Sequence, residues 1–146
     1  MNDNMLFTRN VSLDEKGRMF FIGRYTGVEP GEKLYLFYSE ERDSVIVRSE
    51  KSIKNIKNKY IDLSPGEREK KLEELGDFFL NSIGITQVDK SGRVSLGINV
   101  CAELGLFESV FVVGCFDEIR IYPNKEVYLE SLKAKKASKL KQLEAK

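Results

Sequence analysis

Histidine and tryptophan are both absent from the 146 residues. Without histidine, Ser-His-Asp and Cys-His catalytic arrangements and ordinary His-containing zinc sites are excluded together. Cysteine is scarce: Cys101 and Cys115 stand outside any metal-ligand spacing and read as small, reduced, buried thiols. No apolar run approaches the roughly 20 residues needed to span a bilayer. Met1-Asn2-Asp3-Asn4 lacks the basic-then-apolar start of a secretion signal, so a cytoplasmic location is expected. Neither a nucleophile elbow nor a phosphate-binding loop is found, and no carboxylates pair in an apolar setting. No enzyme activity, metal, cofactor or small-molecule substrate is expected. A charge excess is missing too. The net charge is +1, and residues 11–48 carry 6 Lys/Arg against 7 Asp/Glu, residues 86–122 only 3 against 5. Residues 124–146 are basic, with 7 Lys and 3 Glu. Any nucleic-acid face must therefore come from the placement of a few side chains.

What the chain does have is a repeat. Asp14-Glu15-Lys16-Gly17-Arg18 and Asp89-Lys90-Ser91-Gly92-Arg93 share the pattern Asp-x-x-Gly-Arg. Three apolar runs follow the first copy: Met19–Ile22, Leu34–Phe37 and Val45–Val47. Three follow the second at nearly the same spacing: Val94–Ile98, Val110–Val113 and Ile119–Tyr122. Matching runs at matching offsets mark a duplicated structural unit. The runs are short, rich in β-branched and aromatic residues, and bounded by turn formers, which predicts strands. Each Asp-x-x-Gly is a turn whose glycine reaches positive φ without a Cβ penalty.

Between the repeats the pattern turns helical. A first helix is expected at about 50–60, with Ile53 and Ile56 on one side. Ser64-Pro65-Gly66-Glu67 is a strong start signal for a second, and Leu72, Leu75, Phe78 and Phe79 recur at helical spacing. Asn99 is expected to cap a short helix ending at Gly105, whereas residues 25–31 carry too many breakers for one. Asn124 is expected to cap a terminal helix with Leu129, Leu132, Leu140 and Leu143 on a partly apolar face. The organisation is thus a first repeat at 5–48, a helical insert at 49–85, a second repeat at 86–122 and a helix at 123–146.

The two motifs, with Leu13 before the first and Val88 and Val94 around the second, resemble the MraZ family of bacterial transcriptional regulators. Gly105-Leu106, Val110–Gly114, Ile119–Pro123 and Met5-Leu6-Phe7 extend the likeness over about residues 5–135. The resemblance implies an α+β, mostly β fold. Two tandem swapped-hairpin repeats of SpoVT/AbrB type would form a pseudo-twofold β-barrel core with helices packed outside. It further implies a homo-oligomeric ring, an octamer or larger, that binds short direct repeats in double-stranded DNA. It also implies a nucleoid association and control of a cell-division and cell-wall gene cluster. Ile22 and Gly97 stand where the family usually has a proline, and Asn99–Cys101 where the second repeat usually has a basic residue.

Two readings of the motif stand side by side. In one, Asp14 and Asp89 orient Arg18 and Arg93 toward phosphate or guanine edges, and Lys16 and Lys90 add phosphate contacts. Arg9 and Arg24 flank the first motif and extend its patch. Gly17 and Gly92, with the two aspartates, are then structural. In the other, each Asp caps its own turn and each Arg is a solvated partner. The alternative function is an antitoxin-like or ring-forming interaction module with weak or no DNA binding.

Overall fold

The computed structural model describes residues 1–2, 4–20 and 26–144, without the side chains of Tyr60, Glu74, Asp77 and Phe78. Arg24, Ile22 and Tyr25 lie outside the described residues, as does the side chain of Phe78. The fold is α+β and mostly antiparallel β. Its strands are β1 (Met5–Ser12), β2 (Arg18–Phe20), β3 (Lys33–Tyr38), β4 (Val45–Ser49), β5 (Ser82–Gln87), β6 (Arg93–Ser95), β7 (Ser109–Phe116) and β8 (Glu118–Tyr122). Its helices are α1 (Glu50–Ile61), α2 (Pro65–Leu80), α3 (Ile98–Leu104) and α4 (Lys125–Glu144).

Six strands form one sheet in the order β1-β7-β8-β4-β3-β5, and β2 and β6 form a separate two-stranded ribbon. The halves cross. β1 of the first half pairs with β7 of the second, Thr8 opposite Val113, while β5 of the second pairs with β3 of the first, Tyr35 opposite Ile85. Exchanging the halves turns the sheet order into its own reverse. The expected barrel does not close: among the described residues β1 and β5 each keep a free edge. The two Asp-x-x-Gly-Arg turns are the reason. They take β2 and β6 out of the sheet, and those strands pair with each other instead of bridging its edges.

The main core lies between the sheet and the ribbon. Leu34, Leu36, Val45, Val47, Val110, Val112, Ile119 and Ile121 from the sheet meet Met19 and Val94 from the ribbon. An isolated ribbon of three-residue strands is marginal in water. Met19 and Val94, 1% and 0% exposed, anchor this one, each contributing about 1.5–3 kcal/mol by burial. On the opposite face of the sheet, Phe37 and Ile46 pack on Ile53 of α1, with Phe79 of α2 edge-on to Phe37 at 5.9 Å. Phe111, Val113 and Tyr122 pack there on Val127 and Tyr128 of α4. With both faces covered, β7 is apolar at successive positions rather than alternating.

The helix starts at Pro65 and after Asn124 match the capping signals; the Val127 N–H donates to Asn124 Oδ1 at 2.9 Å. Three expectations need correction. The short helix α3 starts at Ile98 rather than after Asn99, because Gly97 at φ 87° makes the bend and no side chain caps the helix. Cys115 is exposed, carried into solvent by the β7–β8 turn in which Phe116 takes φ 58°. Leu72 is also exposed. Among the described side chains of α2, Phe79 packs on Phe37 of the sheet and Leu75 is half-buried. Of the stretch read as helix-free, Thr26 is helical and residues 27–31 are not.

Candidate nucleic-acid interface

Each Asp-x-x-Gly-Arg segment closes on itself with the same bonds. The Asp14 N–H donates to the Arg18 carbonyl at 2.9 Å, and the Gly17 N–H to the Asp14 carbonyl at 3.1 Å. The equivalents at Asp89 and Gly92 are both 3.0 Å. Asp14 Oδ1 accepts from the Lys16 and Arg18 N–H groups, both at 2.9 Å. Asp89 Oδ1 accepts from Ser91 and Arg93 at 2.9 and 2.8 Å. The second carboxylate oxygen takes the arginine Nε, at 2.8 Å for Arg18 and 2.9 Å for Arg93. Gly17 and Gly92 sit at φ 75° and 82°, where any other residue pays a left-handed penalty.

These contacts set the electrostatics. The Arg18 backbone N–H, and then its guanidinium, hold the Asp14 carboxyl below the usual aspartate range; Arg93 does the same for Asp89. Both arginines stay partly exposed, so the ion pairs add little stability. What they fix is orientation. Nε is engaged, while no contact among the described residues takes the two terminal nitrogens. That forked edge suits a phosphate or the O6/N7 edge of guanine.

The ribbon brings the arginines together. Arg18 lies opposite Ser95 and Phe20 opposite Arg93, with Met19 and Val94 between them. Residues directly opposite share a face, and Met19 and Val94 occupy the buried one. Arg18, Phe20, Arg93 and Ser95 therefore share the outer face, with the arginines diagonal to each other and their Cα atoms roughly 7–8 Å apart. The turns stand at opposite ends of the ribbon, with the exposed Lys16 and Lys90 at their tips. Phe20, 57% exposed between the arginines, and Ser95 were not candidates from the sequence. The Arg18-Met19-Phe20 alternation hinted that Arg18 and Phe20 share a face. The cross-strand partners could not be read, because they come from the other repeat.

Arg9 lies elsewhere, exposed on β1 opposite Val112. Strand alternation puts it on the same side as Phe7 and Val11, the ribbon's side of the sheet. Beneath the first turn, Cys101 of α3 is buried; burial, and then the Asp14 charge, push its thiol pKa up, which makes it unreactive. The chain matches no protein-family model and no curated protein sequence, so the paired turns and the ribbon between them carry the functional argument.

Proposed function

We propose that this chain is a sequence-specific DNA-binding transcriptional regulator that reads double-stranded DNA with the outer face of the β2–β6 ribbon. One observation carries the reading: both turns hold an arginine by Nε in the same way, and the ribbon sets those arginines on one face. A two-stranded ribbon fits the major groove. In this role Arg18 and Arg93 contact bases or phosphates, Lys16 and Lys90 contact phosphates at either end, and Arg9 extends the patch. The crossed pairing of the halves and the self-reversing strand order support the swapped-hairpin, MraZ-like interpretation.

Self-association into a ring belongs to the same reading. Exposed apolar residues support it: Leu6 and Ile85 on the edge strands, 72% and 62% exposed, and Ile98 and Phe107 near the first turn. Two arginines on a nearly neutral chain bind weakly, and several subunits on neighbouring direct repeats raise affinity through effective concentration.

The test is binding of the purified protein, at two salt concentrations, to DNA from upstream of its own gene and to a scrambled control. Salt-sensitive preference for the native sequence is expected. Arg18→Ala should weaken binding and flatten the salt dependence, because counterion release scales with phosphate contacts. Unchanged affinity in a folded Arg18→Ala protein would remove that residue from the interface. An oligomer that ignores DNA even at low salt would favour an interaction module instead.

A further inference from the structure

Two surfaces of this chain are complementary in charge and adjoin different parts of the sheet. The first is a groove of about 500 Å³ beside the Asp14–Arg18 turn, with Leu13 and Leu106 in its lining. Ile98 and Phe107, 63% and 64% exposed, also line it. Its charged groups are all acidic. Apart from Asp14, which is held by Arg18, they are Glu15 and Glu108, neither of which has an ion-pair partner among the described residues.

The second surface is the outer part of α4. At about 100° per residue, Leu132, Lys136, Leu140 and Leu143 fall in one stripe about 80° wide, with Lys139 about 20° and Lys135 about 60° beyond one edge. Glu126 and Glu144 lie about 40° beyond the other edge of the stripe, and Glu130 about 80° beyond it. The three leucines are exposed, and the three lysines have no ion-pair partner among the described residues. Leucine anchors one and two turns apart, bordered by cations, suit a helix that lies in an apolar groove with an acidic rim.

The helix leads away from its own groove. It starts where Tyr128 packs on Phe111 and Tyr122, then passes the β3–β4 turn, where Ser131 and Lys135 share a cleft with Glu41 and Asp43. In the sheet order that path runs from β7 and β8 toward β3, whereas the groove adjoins the end of β1 at the far edge.

We propose that α4 of one copy docks in the acidic groove beside the first turn of a second copy. This contact rests on the self-association reading above and gives it a mechanism. It is heterologous, head to tail, the kind that closes into a ring when the rotation between subunits permits. DNA as the partner of the stripe would satisfy the lysines and leave the leucines in water; a second copy satisfies both. The groove also touches the reading turn. Cys101, in its lining, lies 3.1 Å from where a side chain on Gly17 would begin, so a docked helix supports the turn that holds Arg18.

The test uses the full chain without DNA, its mass followed in solution over a range of concentrations. One variant reverses the helix (Lys136→Glu with Lys139→Glu), a second reverses the rim (Glu15→Lys with Glu108→Lys), and a third carries all four changes. Circular dichroism checks each fold. Each two-site variant should shift to smaller species, and the four-site variant should regain the larger assembly. A wild-type oligomer whose mass is unchanged in the helix-reversed variant would overturn this contact and leave self-association standing. A wild-type chain that stays monomeric throughout would overturn both.

Discussion

Gly17→Ala tests how tightly the first turn is keyed to α3. Gly17 holds φ 75°, so a Cβ there incurs the left-handed penalty of about 1–2 kcal/mol. The new Cβ would also lie 3.1 Å from Cys101 Sγ and 3.3 Å from the carbonyl carbon and oxygen of Gly97. Those atoms belong to a buried side chain and to backbone, not to the free end of a long side chain, so the site must give by tenths of an ångström. Such overpacking costs typically 1–3 kcal/mol. The two effects together predict a loss of about 2–5 kcal/mol, a large fraction of the roughly 5–15 kcal/mol that holds a domain together. Urea unfolding should show a lower midpoint at an unchanged slope. Cys101→Ala removes one of the three close contacts, so it should cost less in the Gly17→Ala background than in wild type. The expected coupling is on the order of 1 kcal/mol. A Gly17→Ala protein within about 0.5 kcal/mol of wild type, or strictly additive mutations, would show that turn and helix are not in contact.

Acid titration should report the two turns directly. Asp14 and Asp89 hold their protons less tightly folded than unfolded, so the order they impose is fully present above the ordinary aspartate value and is lost as pH falls through their depressed values. The amide shifts of Lys16, Arg18, Ser91 and Arg93 should therefore titrate below about pH 3.9; midpoints at or above that would contradict the bonding described. Arg48 ties β4 to β8 and α1, with Nη2 donating to Glu118 at 2.6 Å and Nη1 to Ser52 at 2.8 Å. Arg48→Met should cost about 2 kcal/mol, less than the roughly 3–5 of a fully buried pair, because Arg120 still holds Glu118 at 2.9 Å. Calorimetry should show a Tm lower by roughly 4–8 °C, and no change would mean the network is incidental. Asn124→Ala removes the cap of α4 and should cost about 1 kcal/mol. Faster hydrogen exchange confined to the first turn of α4 is expected, and unchanged protection would argue against the cap.

What was legible in the sequence was local. A turn that needs Asp and Gly at fixed spacing, a Ser-Pro helix start and an asparagine cap each depend on a few neighbouring residues. The sequence therefore placed both turns, the start of α2 and the start of α4. The start of α3 was misplaced because a positive-φ glycine made the bend and Asn99 offered a more familiar signal. Pairing was a different matter. β1 finds its partner in β7 about a hundred residues downstream, and nothing local says that β2 will pair with β6 rather than bridge the sheet edges into a barrel. The site divided along the same line. The orientation of Arg18 by Asp14 followed from the motif, while its alignment with Arg93 and the exposure of Phe20 between them depend on the crossed pairing. The groove beside the first turn escaped for the same reason, since Leu13 and Phe107 meet only through that crossing.

The crossing also governs how the chain comes off the ribosome. β1 leaves early, yet its partner β7 is complete only when Phe116 has been added. At about 5–20 residues per second, synthesis leaves β1 unpaired for roughly 5–20 s. β4 likewise waits for β8, and the arginine face waits for both turns. A nascent chain stalled before residue 109 could pair β3 with β4 and β5 but would leave β1 and the inner edge of β4 without their partners, a substrate for chaperones rather than half a working protein.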